Sequence, residues 1–265
     1  MLVALRFLGA TLLLISTIGV GAPKRLYIDR TGLLFCVASG MATAIALLSF
    51  TWSLTRINAS IAAMVVAVYP LIVLVLLAWR GEKFTYRHII RLVLGLAGVY
   101  LLIGPGGQVD LIGALLALGG SCMFAVYLVI MQWYLKSYDA QTIALYIFAT
   151  VAVFTTGLWV NQGMVWYSPG WQGWLAIAVL VVGSAYLGQL ALFGAVRRIG
   201  SGQMALVGPL ETLLTVIWSV LFLQEHLTLL QWIGSGLILS SMLLALKRLR
   251  RARKISWRSR LRLRF

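Results

Sequence analysis

The sequence predicts an all-α polytopic membrane protein with nine transmembrane helices built from an inverted repeat. Three observations carry that reading. Of 265 residues, 62% are hydrophobic and 11% charged, and the mean hydropathy is +0.97, whereas a soluble domain is about one quarter charged. Apolar runs long enough to cross a hydrocarbon core recur between short polar breaks. Lys and Arg fall almost wholly on alternate breaks.

The first run, Leu2 to Val20, ends in GVGA and has a short apolar core, so it resembles a signal peptide. A spanning helix fits the charge alternation and the repeat better. Further runs lie at Gly32 to Leu54, Ala59 to Trp79, Ile89 to Ile103, Leu111 to Leu135, Thr142 to Val160, Trp174 to Val196, Gln203 to Leu223 and Leu230 to Leu246. The run after Ile89 is short, and its helix is expected to begin earlier, near Arg87.

Counted break by break, 20 of the 22 basic residues fall on one side, and only Arg6 and Arg56 on the other. The rich side is cytoplasmic by the positive-inside rule, which places the C-terminus there and suits a bacterial inner membrane. Trp79, Trp133, Trp159, Trp174 and Trp232 stand at run ends, where an amphipathic ring favours the interface.

The net charge of +16 does not indicate nucleic acid, because ten basic residues lie in the tail Lys247 to Phe265. That tail comes after the last apolar run and has no acid, so its expected partner is anionic lipid. Cys36 and Cys122 lie inside apolar runs and read as packing residues. His88 and His226 lie in or near loops with no partner in sequence, and read as solvated interfacial histidines. No GxSxG, HExxH, P-loop or CxxC is present. The expectation is therefore no enzyme, no metal and no cofactor.

Laying Arg56 to Leu102 over Arg198 to Ala245, with one gap at Gln224, gives 11 identities in 47 positions, including Arg-Ile, Glu82 with Glu225, and Thr85 with Thr228. The copies start on opposite sides of the membrane. This divides the chain into a first repeat at 1–104 with four helices, a second at 105–246 with five, and the tail at 247–265. Inverted repeats are the plan of many secondary transporters.

The LRF opening, YPLIVLVLLAWRGEKFT after Ala67, and LETLLTVIWSVLFLQEHLTLLQWIGSGLIL after Leu210 resemble EamA-type transporters of the drug/metabolite transporter superfamily. Thr212 stands where that family's Leu-Glu-Pro triplet has proline, and Gln224 replaces a glycine. The resemblance implies a ten-helix fold of five plus five, of which this chain lacks the usual first helix.

Helical phase supplies the candidate site residues. Glu211 is an acid inside an apolar run, where a central carboxylate costs about 2.5–3.5 kcal/mol and so faces protein or water. Glu211, Thr215, Trp218 and Phe222 recur at steps of four, three and four, which puts them on one face. The two aromatics also suit plain packing. Tyr186 and Gln189 share a face with Phe193 in the preceding run, and Tyr69 and Pro70 superpose on Glu211 and Thr212. Tyr127 and Gln132 are further lining candidates. Pro70 and Pro209 free a carbonyl at matching depth and are expected hinges. Gly113, Ala117, Ser121 and Ala125 form a small-residue seam for another helix.

The expected function is secondary transport, most simply export of small metabolites, amino acids or drug-like compounds, with Glu211 either binding a cationic group of the small-molecule substrate or exchanging a proton with it. The alternative is a non-transporting membrane protein, either a truncated paralogue or a partner subunit. Sequence leaves monomer and homodimer equally open.

Overall fold

The computed structural model describes residues 1–21, 27–80, 90, 93–94, 97–98, 100–101, 109–163, 168, 170–201, 204, 208–224 and 227–240. All regular structure among them is helical. Six stretches are long and apolar enough to cross a membrane: Leu2–Gly19, Arg30–Ser53, Ala59–Trp79, Leu111–Tyr134, Ala140–Asn161 and Gly170–Ile199. Two further predicted runs are seen as shorter helices, Gly208–Phe222 and Leu229–Ser240. The predicted run Ile89 to Ile103 falls mostly outside the described residues, as do His88, His226, the repeat markers Glu82, Thr85 and Glu225, and the basic tail.

We number the helices α1 (Leu2–Gly21), α2 (Arg30–Ser53), α3 (Ala59–Val66), α4 (Tyr69–Trp79), α5 (Leu111–Tyr134), α6 (Ala140–Asn161), α7 (Gly170–Val179), α8 (Gln189–Ile199), α9 (Gly208–Phe222) and α10 (Leu229–Ser240). Leu180–Gly188, between α7 and α8, is π-helical. The chain divides into two compact units. One takes Met1–Leu48 with Met123–Met204, and the other Ser49–Cys122 with Ala205–Phe265.

In the first unit α1 packs along α6. Phe7, Ala10, Leu14 and Ile18 recur at steps of three and four, and all are buried. Phe7 meets Phe148 edge to face at 5.4 Å. Leu2, Leu8, Leu12 and Ile15 lie on the other side of α1 and are exposed, as lipid-facing side chains are. Small residues let helices approach closely, since lipid tails supply no hydrophobic drive for association. A Cβ built on Gly40 would stand 2.6 Å from Cβ of Thr150, so only glycine permits that approach of α2 to α6. Cys36 is buried within α2 and free, as a packing residue would be.

The helix ends are set by few polar residues. Asp139 caps α6 by accepting from the Gln141 amide at 3.1 Å. Gly200 closes α8 with φ of 83° and ψ of 159°, an extended conformation at positive φ that glycine adopts without penalty. Gln132 then ties α5 to that corner, its Oε1 accepting from the backbone amide and hydroxyl of Ser201. This is a structural tie, and it accounts for Gln132 without a lining role.

In the second unit, Met64, Ala67, Val68, Leu71 and Ile238 form one buried cluster, and Ile57, Ile61, Ala62, Val65, Val109 and Ala117 a second. The small-residue seam of α5 is buried at Gly113, Ala117 and Ser121 here. An added Cβ at Gly113 would meet Ile57 at 2.8 Å. Asp110 caps α5, accepting from the Gly113 amide at 2.9 Å, and also meets Arg56 at 3.2 Å.

Candidate functional site

The second unit carries the acid-bearing groove. Helix α9 packs on α3, whose Ala59, Ser60, Ala62 and Ala63 offer little bulk. The result is an open groove of ≈ 510 Å³ lined by Ala59, Glu211, Leu214, Thr215, Trp218, Ser219, Phe222 and Leu223. Glu211 lies in the first turn of α9, where the helix macrodipole favours negative charge. That placement lowers the cost of keeping a carboxylate in an apolar segment.

The groove's walls arise from the same helical phase. Trp218 and Phe222 stack with centroids 4.9 Å apart and planes 20° apart. The Thr215 hydroxyl donates to the Glu211 carbonyl at 2.9 Å, so its lone pairs remain to accept from a ligand. Tyr69, buried at the start of α4, lies within electrostatic reach of Glu211. Four of the sequence candidates, Glu211, Thr215, Trp218 and Phe222, therefore line one groove, with Tyr69 close to the acid. Ser219 is a lining residue that sequence reading missed. Its signal was available, since it stands four residues after Thr215 on the same face.

The two predicted hinges differ. The span Ala59–Trp79 breaks at Ala67–Val68, where i to i+3 bonds replace the α ladder: Val68 to Val65 at 3.2 Å and Leu71 to Val68 at 2.9 Å. Pro70 comes at once after the break, and its lack of an N–H prevents an unbroken ladder through this turn. Pro209 falls on the second residue of α9, where a missing N–H costs nothing. Its side-chain surroundings lie outside the described residues.

Tyr186 and Gln189 belong to the first unit, where they face different partners. Tyr186 is in the π-helical stretch, and its hydroxyl approaches Thr17 Oγ1 of α1 at 3.4 Å. Gln189 opens α8 and accepts from the wholly buried Tyr127 hydroxyl at 3.3 Å. Phe193 also turns to Tyr127, with centroids 6.4 Å apart. The α-helical phase that put Tyr186 with Gln189 and Phe193 does not hold through a π-helix, which bonds i to i+5. Tyr127 is core in this arrangement, paired by Gln189.

Among the described residues no three His, Cys, Asp or Glu side chains gather where they could hold a metal. The groove has instead one acid, hydroxyls and an aromatic wall.

The fold defines a polytopic helical membrane protein. The sequence profile of the EamA-like transporter family matches residues 1–104 and 111–247, and the chain belongs to that family. It is 31% identical over 179 residues, 63% of its length, to "Uncharacterized transporter YvbV" of Bacillus subtilis, and 26% identical over 195 residues, 69% of its length, to "Uncharacterized transporter YcbK" of the same organism. The matched regions span 55% and 62% of those relatives. A crystal structure of a 20% identical protein superposes with a TM-score of 0.69 over 92% of this chain and 86% of its own, which shows the shared fold.

Proposed function

We propose that the chain is a secondary transporter that exports small metabolites, amino acids or drug-like compounds by alternating access of two inverted repeats. In this reading nine helices cross a bacterial inner membrane and the basic tail lies on the cytoplasmic side, against anionic lipid. Glu211 binds the cationic group of the substrate or exchanges it for a proton, while Thr215 and Trp218 orient the remainder and Tyr69 tunes the acid. Pro70 and Pro209 are the points about which the helices bend.

The observation that carries the proposal is the convergence of Glu211, Thr215 and Trp218 on one open groove, in a chain that has only six acidic residues. Inward or cavity-facing acids in membrane spans mark substrate and proton paths. The test is efflux of a panel of amino acids and cationic dyes from proteoliposomes under an imposed proton gradient. Glu211→Gln is expected to abolish coupled efflux while leaving membrane insertion intact. Efflux by this variant at the wild-type rate would remove Glu211 from the mechanism.

A further inference from the structure

Arg6 is one of two basic residues that the charge count leaves off the cytoplasmic side, and the groove at Glu211 does not use it. It lies on α1, and its Nη2 donates to Oγ of Ser184 at 2.7 Å. Ser184 is the fifteenth of the thirty residues in Gly170–Ile199. The guanidinium is thus held against the middle of that span.

The charge has no counter-ion within its unit. The acids there are Asp29 and Asp139. Asp29 is bonded by the Tyr138 hydroxyl at 2.6 Å, and Asp139 caps α6. Nε of Arg6 is buried without a hydrogen-bond partner. A guanidinium offers five donors in a rigid fork that matches a two-oxygen anion, and here its described polar contact is one serine hydroxyl.

The surroundings leave room for an anion. Ser184 and its neighbour Gly183 are exposed, and a Cβ added at Gly183 meets nothing within 4 Å. Arg6 and Thr17 are eleven residues apart on α1, which brings them back to nearly one face. Thr17 is exposed, and the Tyr186 hydroxyl lies 3.4 Å from it. A charged group on an exposed face of a spanning helix is costly against lipid, and a polar seam suits water and solute.

We infer that Arg6 and Ser184 form an oxyanion-binding site on the α1 seam, with Thr17 and Tyr186 further along it, and that the site takes the carboxylate of a transported solute. The identity of the bound anion as a transported solute rests on the transporter reading above. A lipid phosphate has the same chemistry, and the experiment separates the two sources.

The full chain in phosphatidylcholine nanodiscs is titrated calorimetrically with benzoate and with its neutral isostere benzamide. Benzoate is expected to bind and benzamide not. Arg6→Gln should weaken benzoate roughly tenfold or more, as loss of a charge-assisted bidentate contact does, and Ser184→Ala a few-fold. If Arg6→Gln does not fold, Arg6→Lys, which keeps the charge but not the fork, should give intermediate affinity. Equal benzoate binding by wild type and the Arg6 variant that folds, or no binding by either, overturns the inference. Native mass spectrometry in nanodiscs containing phosphatidylglycerol supplies the other arm. A phospholipid retained by wild type and released by Arg6→Gln, with no response to benzoate, assigns the site to lipid and overturns the solute claim. The calorimetric test uses no Glu211 variant, so undiminished efflux by Glu211→Gln would sink the role of Glu211 without touching the benzoate result.

Discussion

The hydroxyl of Tyr127 donates to Oε1 of Gln189 at 3.3 Å, joining α5 to the first residue of α8. Tyr127 is 1% exposed, so its hydroxyl has nowhere else to turn among water molecules. The bond is long for O–H to O, whose usual length is about 2.7–2.8 Å, and its own contribution is therefore small. Removing the acceptor costs more, because the donor is left dry. Gln189→Leu is expected to destabilise by about 1–3 kcal/mol and Tyr127→Phe by about 0.5 kcal/mol, measured as thermal unfolding in detergent. The reverse order would mean that the hydroxyl is satisfied elsewhere.

Gly40 and Gly157 make opposite predictions for the same substitution. At Gly40 an alanine Cβ meets Cβ of Thr150 at 2.6 Å and the Ile147 carbonyl at 3.0 Å, whereas at Gly157 it meets nothing within 4 Å. Gly40→Ala should cost about 1–3 kcal/mol through overpacking. Gly157→Ala, in the interior of α6, should stabilise by about 0.5–1 kcal/mol through helix propensity. Unfolding curves of the two variants check both signs in one experiment.

The Tyr138 hydroxyl on Asp29 holds that carboxyl below its ordinary value of 3.8, with the backbone amides near Gly32 adding to the effect. Because the folded value is depressed, the stabilisation is complete above the unfolded value and is lost as pH falls through the folded one. Tyr138→Phe should raise the Asp29 value toward 3.8 and shrink the acid-side loss of stability. A pH series of unfolding midpoints from neutral to strongly acid reads this, and an unchanged acid limb would show that Tyr138 does not govern Asp29.

Pro70 adjoins the break between α3 and α4, while Pro209 stands in the first turn of α9. Both are expected to slow transport when changed to Ala, with the turnover number falling and solute affinity nearly kept, as hinge residues behave. Proteoliposome kinetics separate the two parameters. Unchanged turnover in both variants would remove the hinge role.

Much of this was legible in the residues themselves. Wherever the backbone stays α-helical, a period of about 3.6 carries side chains faithfully, and Glu211, Thr215, Trp218 and Phe222 line one groove for that reason. Gly113, Ala117 and Ser121 are buried as a small-residue seam for the same reason. The features that sequence did not show depend on the backbone or on distant partners. The stretch LVVGSAYLG reads as one more apolar helical segment, and nothing in its side chains announces bonds from i to i+5. Reading it as α-helix joined Tyr186 to Gln189, which the structure turns toward different helices. Sequence assigned Arg6 only to a side of the membrane, because its partner, Ser184, is 178 residues away.

The π-helical stretch has a consequence for how the first unit could be altered. A wider turn accommodates residues beyond the α-helical number, and each residue removed from or inserted into a helix rotates its downstream half by about 100°. Restoring an α ladder through Leu180–Gly188 with every residue kept would re-aim all of α8, taking Gln189 off Tyr127 and Phe193 out of the aromatic core. The segment thus works as a phase adjuster: it lets the half before it obey one set of neighbours and the half after it another, and the amino-acid order of α8 makes sense only with that offset in place.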